Sequence, residues 1–182
     1  MTDEWLGWHW LGNDKRLRYR DGRAVTNGEI VEVGKAYTAE EPLVLCANGM
    51  HASKRAIDAL NYACGSIVCR VRLSGDIVEG DDKACARRRE VLWMADATSV
   101  LHEWACWCAE QALLREREAG REPDPRSWAA LTAKRRWLAH EISDEELDAA
   151  RAAAREAAGA AAWAAQNAEL ERRTTPNATQ LF

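Results

Sequence analysis

The chain has 182 residues, of which 47% are hydrophobic and 30% charged, and its formal net charge is −4. This composition is typical of a folded protein and argues against a disordered chain, and the length suits one domain or two small ones. Uncharged stretches reach about a dozen residues, whereas a membrane span needs about 20, so we expect no transmembrane segment. The acidic N-terminus lacks the basic and apolar parts of a signal peptide, which predicts a cytoplasmic location. Mild acidity also disfavours nucleic-acid binding.

The amino-acid composition changes near Leu92. Residues 1–92 contain 10 of the 34 alanines and 15 Val, Ile or Thr residues, whereas residues 93–182 contain 24 alanines and 7 Val, Ile or Thr residues. β-branched side chains favour strands, and alanine favours helices because it loses no side-chain entropy. We therefore predict an α+β fold, in which a small antiparallel sheet with one helix precedes a region of about three helices. The predicted divisions are a strand-rich domain over 1–95, a helical region over 96–173 and a flexible tail over 174–182.

The strand-rich half contains seven candidate strands and one candidate helix. Asn, Asp and Gly residues between the strands are typical of tight turns, so antiparallel pairing is expected. The helix is predicted over Lys54–Tyr62, with Ser53 as its N-cap and with Ala56, Ile57 and Leu60 on its apolar face. The candidate strands are Trp5–Leu11, Leu17–Arg20, Glu29–Val33, Leu43–Cys46, Ser66–Leu73, Asp76–Glu79 and Glu90–Met94.

The alanine-rich half contains three helices with clear start and stop signals. The first covers about 98–119 and ends at Gly120, where glycine adopts a left-handed conformation at little cost. The second, about 124–139, begins with an Asp-Pro pair that suits an N-cap and first helical position. The third, about 143–173, opens with the capping box Ser143-x-x-Glu146.

The last predicted helix is poor in bulky side chains, since 13 of its 24 residues over 147–170 are alanine. Such a helix forms readily but has little apolar area to bury, so a partner must approach it closely. It is either a spacer or a surface for oligomerisation or for another protein.

His51 is a candidate site residue because it lies in a predicted turn between a strand and a helix. Histidine can act there as a general base, a hydrogen-bond donor or a ligand near neutral pH. The alternative is that His51 bonds locally to shape the turn, while Gly49 supplies an unusual φ angle.

His102 and Cys106 are candidate metal ligands because they lie four residues apart on one predicted helix and share a face. A zinc site needs a third and a fourth ligand, and the spacing of the other cysteines and histidines selects none. A helix face in the core explains the pattern more simply, so we predict no metal site. The six cysteines form no paired C-x2-C motif and are predicted to be buried free thiols.

Three consecutive arginines, Arg87 to Arg89, offer a possible phosphate contact. In a strand, Arg87 and Arg89 share one face while Arg88 lies on the other, which makes the patch weaker than the sequence run suggests. We interpret them as solvated charges in a turn or at a sheet edge, where charge also discourages unwanted strand pairing.

The first half resembles a domain of unknown function found in proteins of actinobacteria and their phages. The resemblance is carried by LCANGMHAS at 45–53 and by VRLSGDIVEGDDK at 71–83, and it covers roughly residues 1–95. It implies no established catalytic residue.

The second half resembles a helical domain that carries an immunity-protein label. The matching segments are VLHEWAC at 100–106, DPRSW at 124–128 and the Ala/Trp-rich helix, and together they cover about 93–173. The label implies a protein that binds and neutralises a toxin.

The order of elements in the first half is also similar to that of ADP-ribosyltransferases. The similarity rests on Trp8-His9-Trp10, on GMHAS at 49–53, on ALNY at 59–62 and on the strands over 68–75. In that family a histidine and a later aromatic residue grip NAD, and a glutamate can promote transfer.

The similarity to ADP-ribosyltransferases implies a set of site residues. His9 would be the first histidine and His51 would stand in place of the usual tyrosine, while Glu90 or Glu79 would be the glutamate. Ser53 and Tyr62 would contact the substrate, and NAD would be the cofactor.

Two functions follow from these observations. The sequence favours a non-enzymatic interaction factor, either immunity-like or a phage accessory protein, with no cofactor and with a toxin or host factor as its protein partner. It has no GxGxxG, phosphate-loop or GxSxG motif, which removes the common cofactor and hydrolase classes. The alternative is an ADP-ribosyltransferase-like enzyme or an NAD-binding relic in the N-terminal half.

Overall fold

The computed structural model describes residues 5–17 and 28–174, with side chains described as far as residue 168. The chain divides into two compact units, Met1–Leu101 and His102–Phe182. The first contains an antiparallel sheet with one short helix, and the second consists of helices, so the predicted α+β fold is confirmed. Within the described ranges, no helix is both long enough and apolar enough to cross a membrane.

The sheet of the first unit has five strands. They are β1 (Trp5–Leu11), β2 (Ala36–Thr38), β3 (Met50–Ala52), β4 (Ile67–Glu79) and β5 (Ala84–Asp96). The order is β1-β4-β5-β2, and β3 pairs with the beginning of β5 beside β2. Ser53 also forms an antiparallel bridge with Trp8, so the sheet curls until β3 meets β1.

The main core lies on one face of this sheet. Alternate residues of β4 point into it, as the period of two in a strand requires. Ile67, Cys69, Val71 and Leu73 are all buried there, and Val91 of β5 packs beside them. The strands β4 and β5 therefore contribute many of the apolar side chains that hold the unit together.

The predicted strands agree with the structure in part. Trp5–Leu11 matches β1, and the two segments predicted over 66–79 form the single strand β4. Glu29–Val33 and Leu43–Cys46 are wrong, because each contributes an isolated bridge rather than a strand. Val31 packs into the main core, but the neighbouring apolar side chains Ile30, Val33 and Val44 are exposed. The prediction for Leu17–Arg20 lies, beyond Leu17, outside the described residues.

The helix of the first unit, α1 (Ala56–Leu60), is shorter than predicted and starts differently. Its N-cap is Arg55, which makes no side-chain cap, so Ser53 as N-cap is wrong. The backbone of Ser53 instead forms hydrogen bonds with the backbone of Trp8 in the sheet. The predicted apolar face is also wrong at Ile57, which is exposed, whereas Ala59 is buried.

The helices of the alanine-rich half are α2 (Thr98–Glu118), α3 (Pro125–Leu138) and α4 (Asp144–Thr174). Gly120 has φ of 76° after α2, as the stop signal predicted. Asp124 accepts a hydrogen bond from the backbone N–H of Arg126 at 2.8 Å. The capping box is present, because the Ser143 N–H donates to Glu146 at 2.9 Å and the Glu146 N–H donates to Ser143 at 3.3 Å.

Candidate functional site

The first unit contains a cavity of about 520 Å³ beside β1, β3 and the loop over 46–49. Its lining includes His9, His51, Ser53 and Tyr62, which are four of the site residues implied by the similarity to ADP-ribosyltransferases. These residues come from positions up to 53 apart in the chain. The fold therefore brings them to one place, where small molecules of ordinary size could be held.

Strand register explains how β1 and β5 both reach this cavity. His9 lies opposite Cys69 of β4, and Leu73 of β4 lies opposite Arg89 of β5. Residues directly opposite in an antiparallel sheet share a face, and so do residues four apart in one strand. His9 and Arg89 therefore project from the same face, which is the face that carries the core.

Arg89 is the most unusual side chain of the cavity, because it is charged and only 3% exposed. Its Nη1 donates a hydrogen bond to the carbonyl oxygen of His51 at 2.7 Å, and its Nε is buried without a hydrogen-bond partner. Burial lowers the pKa of Arg89 to about 10, so the guanidinium keeps its charge at neutral pH. No carboxylate of the described residues forms an ion pair with it.

His9 is held neutral by its surroundings. Burial lowers its pKa well below the ordinary 6.5, and the charge of Arg89 and then the His51 ring add to this shift. The ring is partly accessible through the cavity that it lines. A neutral imidazole offers one donor and one acceptor to a ligand.

His51 is occupied by its own loop. Its Nε2 accepts a hydrogen bond from the backbone N–H of Cys46 at 3.1 Å. Burial lowers the pKa of His51, a backbone hydrogen bond at Gly49 opposes that shift, and Arg89 and Lys83 reinforce it. Gly49 has φ of 141° and Cys46 has φ of 70°, so the ring spans a loop of unusual backbone conformation. This geometry favours the interpretation that His51 shapes the loop over 46–49.

Tyr62 and Ser53 complete the predicted set at the cavity. The Tyr62 hydroxyl donates to Asp82 at 2.5 Å, and Lys83 lies 3.8 Å from the centre of its ring. Ser53 is buried, and its backbone pairs with that of Trp8 at 2.7 and 3.0 Å. Lys83 thereby places a second positive charge in the lining.

The two glutamates implied by the transferase resemblance do not line the cavity. Glu90 pairs with Arg72 at 3.0 Å, and because it follows Arg89 in β5 it points to the opposite face of the sheet. Glu79 pairs with Lys54 at 2.8 Å. Among the described residues, the carboxylate that lines the cavity belongs to Glu40, which is exposed.

The interpretation of the arginine run as solvated edge charges is wrong for Arg89. Arg89 is buried because it lies opposite Leu73 and Tyr37 on the core face, whereas Arg88 points to the other face and is exposed. β5 is also not an edge strand, since β4 pairs along one of its edges and β2 and β3 along the other. Alternation along the strand does separate Arg88 from Arg89, as predicted. The sequence indicates Arg89 as a possible phosphate contact but favours a solvated charge, and Glu40 is not among the residues that it singles out.

His102 and Cys106 lie on α2 in the helical unit. The His102 ring meets the Trp137 ring edge-on at 5.8 Å, and Cys106 is buried. Among the described residues, no three His, Cys, Asp or Glu side chains are grouped to hold a metal ion. The contacts of His102 and Cys106 are therefore those of a helix face that packs on α3.

The six cysteines are free thiols, as predicted, but only some of them are buried. Cys69, Cys85 and Cys106 are buried, whereas Cys46 and Cys64 are exposed and line the cavity.

Residues 17–103 match a family described as a domain of unknown function, DUF7666. The match covers slightly less than half of the chain and includes β2 to β5 and α1. It supports the prediction of a domain of unknown function in the N-terminal half. Neither the curated proteins nor the solved structures gave a significant match.

Proposed function

We propose that the N-terminal unit binds a nucleotide-sized ligand in the cavity beside His9, with NAD as the compound implied by the similarity to ADP-ribosyltransferases. The observation that carries this proposal is the convergence of His9, His51, Ser53 and Tyr62 on one cavity. Its volume of about 520 Å³ lies within the range of roughly 300–1,000 Å³ that small-molecule sites occupy.

The lining residues suit such a ligand. His9 offers a donor and an acceptor, and two cations, Arg89 and Lys83, lie in the wall. The proposal concerns binding rather than transfer, because Glu90 points away from the cavity and pairs with Arg72. The N-terminal half is thus proposed to be an NAD-binding relic rather than an active transferase.

Calorimetry with NAD on the full chain tests this proposal. We expect saturable binding that is lost in His9→Ala and kept in Glu90→Gln, a matched change outside the cavity. No heat of binding to a folded wild-type protein would refute NAD as the ligand. Loss of binding in Glu90→Gln would contradict the position of Glu90 outside the site.

We further propose that the helical unit binds a protein partner. The observation that favours this role is the exposure of large apolar side chains, since Trp107 is 54% and Trp163 is 73% exposed. Tryptophan is enriched among the residues that contribute most to protein interfaces. The role is immunity-like or that of a phage accessory protein in an actinobacterial setting, with a toxin or host factor as partner. We also propose that the protein is cytoplasmic and that it oligomerises through α4.

A pull-down from the host cell with two variants tests the second role. A partner retained by wild-type protein and lost in Trp107→Ser or Trp163→Ser would support it. Trp93→Ser is the matched control, because Trp93 is 42% exposed but lies on β5 of the other unit. Equal capture by all the variants, or no reproducible partner, would contradict the proposed surface.

A further inference from the structure

The charge of Arg89 has no counterion in the protein as far as the structure describes it. A buried charge is stable only when it is paired or well hydrogen-bonded, since removing it from water is strongly unfavourable. The hydrogen bond from Arg89 to the carbonyl oxygen of His51 supplies one partner for five N–H groups. A carbonyl dipole does not neutralise a full charge, and the Nε group is left without a partner.

Cys69 and Tyr37 interact with Arg89 on the core side. Burial raises the pKa of Cys69 to about 11, so its thiol keeps its proton. The Tyr37 hydroxyl accepts from the backbone N–H of Glu32 at 2.8 Å and donates to the carbonyl of Ile30 at 3.3 Å. Neither side chain forms an ion pair with Arg89.

The cavity side of Arg89 is also short of negative charge. The charged side chains of the lining are Arg89, Lys83 and Glu40, of which Glu40 is exposed to solvent. His9 and His51 are neutral in this environment, because burial and Arg89 lower the pKa of each. Two cations therefore face one solvated carboxylate around a space large enough for a ligand.

We propose that Arg89 is the anion-binding residue of this cavity, and that the ligand presents a phosphoryl or carboxyl oxyanion to it. The negative charge that the buried guanidinium lacks is then supplied by the bound molecule. Arginine suits this task because its planar group matches both oxyanions and keeps its charge when buried. Lys83, beside Tyr62, adds a second positive charge for a ligand that carries more than one anionic group. This inference rests on the cavity being a ligand site, as proposed above, but not on the ligand being NAD.

The alternative is that Arg89 serves only to hold the loop that carries His51. If the role of Arg89 is purely structural, replacing Arg89 should not change the binding of anions. The comparison of Arg89 with Arg88 separates the two roles, since Arg88 is the next residue of the same strand and is exposed on the other face.

Titration of the full chain with inorganic pyrophosphate, orthophosphate and succinate at low ionic strength tests the proposal. We expect saturable binding of at least one of them by calorimetry, weakened about tenfold or more in Arg89→Met, as loss of a charge-assisted hydrogen bond would do. Arg88→Met should bind like the wild type. Tighter binding of the two phosphates identifies a phosphoryl group, and tighter binding of succinate identifies a carboxyl group.

A second measurement keeps the test decisive if Arg89→Met does not fold. The Nε–Hε resonance of Arg89 in the wild-type protein, assigned with Arg89→Lys, should shift during the same titration. A folded protein that binds none of the three anions, an unchanged affinity in Arg89→Met, or an unmoved Arg89 resonance would each overturn the inference. An affinity for NAD that is unchanged in Arg89→Met would refute the anion site alone. Binding of pyrophosphate without binding of NAD would refute the nucleotide proposal alone.

Discussion

Arg89 and His51 are joined by a hydrogen bond from the guanidinium Nη1 to the carbonyl oxygen of His51, 2.7 Å long. This bond ties the middle of β5 to the strand β3, whose residues pair with the beginning of β5. It also fixes a permanent positive charge beside two imidazole rings. The charge disfavours protonation of His51 and of His9, and this effect adds to that of burial.

The first prediction is that the free energy of unfolding falls as the pH is lowered from 7 to 5. His9 and His51 have folded pKa values below the ordinary 6.5, so the unfolded chain binds more protons than the folded one in this range. Stability is then full above pH 6.5 and declines below it, by up to about 1.4 kcal/mol per pH unit for each histidine. Urea denaturation at a series of pH values measures the slope.

His9→Gln is the control for this pH dependence, because it keeps a polar side chain that does not titrate. The slope between pH 7 and 5 should become shallower in this variant. An identical slope in both proteins would show that His9 is not neutral when folded.

The second prediction concerns the reactivity of the thiols. Cys46 and Cys64 are exposed and line the cavity, whereas burial raises the pKa of Cys69, Cys85 and Cys106. Iodoacetamide should therefore modify Cys46 and Cys64 first in the native protein, since the thiolate is the reactive form. Peptide mass spectrometry at successive times gives the order.

A ligand in the cavity should slow this modification. NAD or pyrophosphate is expected to protect Cys46 and Cys64 but not Cys108, a partly exposed thiol of the other unit. Equal protection of all three would indicate a general effect on the protein, and protection of none would argue against occupation of the cavity.

The parts of the fold that follow local rules could be predicted from the sequence. The helix signals of the second half depend on neighbouring residues, as in the capping box of Ser143 and Glu146 and the left-handed Gly120. The strand β1 was equally clear from its residues. Each of these features can be predicted without knowing which distant segment of the chain packs against it.

The site could be predicted only in part, because it depends on long-range pairing. The resemblance pointed to His9 and His51, which the structure places at one cavity, but it pointed to Glu90 rather than Arg89. The two neighbours point to opposite faces of β5, and the inward face is set by pairing with β2 and β4. The sequence predicted a strand only from Glu90 onward, and the arginines before it were interpreted as solvated turn and edge charges.

The third prediction is that Gly49→Ala destabilises the first unit by about 1–3 kcal/mol. Gly49 has φ of 141°, and a Cβ atom there would lie 2.9 Å from Cβ of Cys85. The substitution therefore meets both backbone strain and a collision in the loop that His51 holds. Denaturant unfolding of the variant measures the cost.

Gly34→Ala separates these two causes. Gly34 has φ of 80°, but nothing lies within 4 Å of an added Cβ, so this variant reports conformational strain without collision. We expect a smaller loss of stability than at Gly49. Equal losses would mean that Cys85 moves aside without cost.

The fourth prediction tests the start of α4. The Ser143 hydroxyl accepts from the Glu146 N–H at 3.3 Å, while the Glu146 carboxylate accepts from the Ser143 N–H at 2.9 Å. Ser143→Ala removes one half of this box and should lower the stability of the helical unit by about 1 kcal/mol. Ser143→Thr keeps the hydroxyl and should stay close to the wild type. Thermal unfolding followed by circular dichroism at 222 nm compares them, and equal losses in the two variants would show that the hydroxyl does not cap the helix.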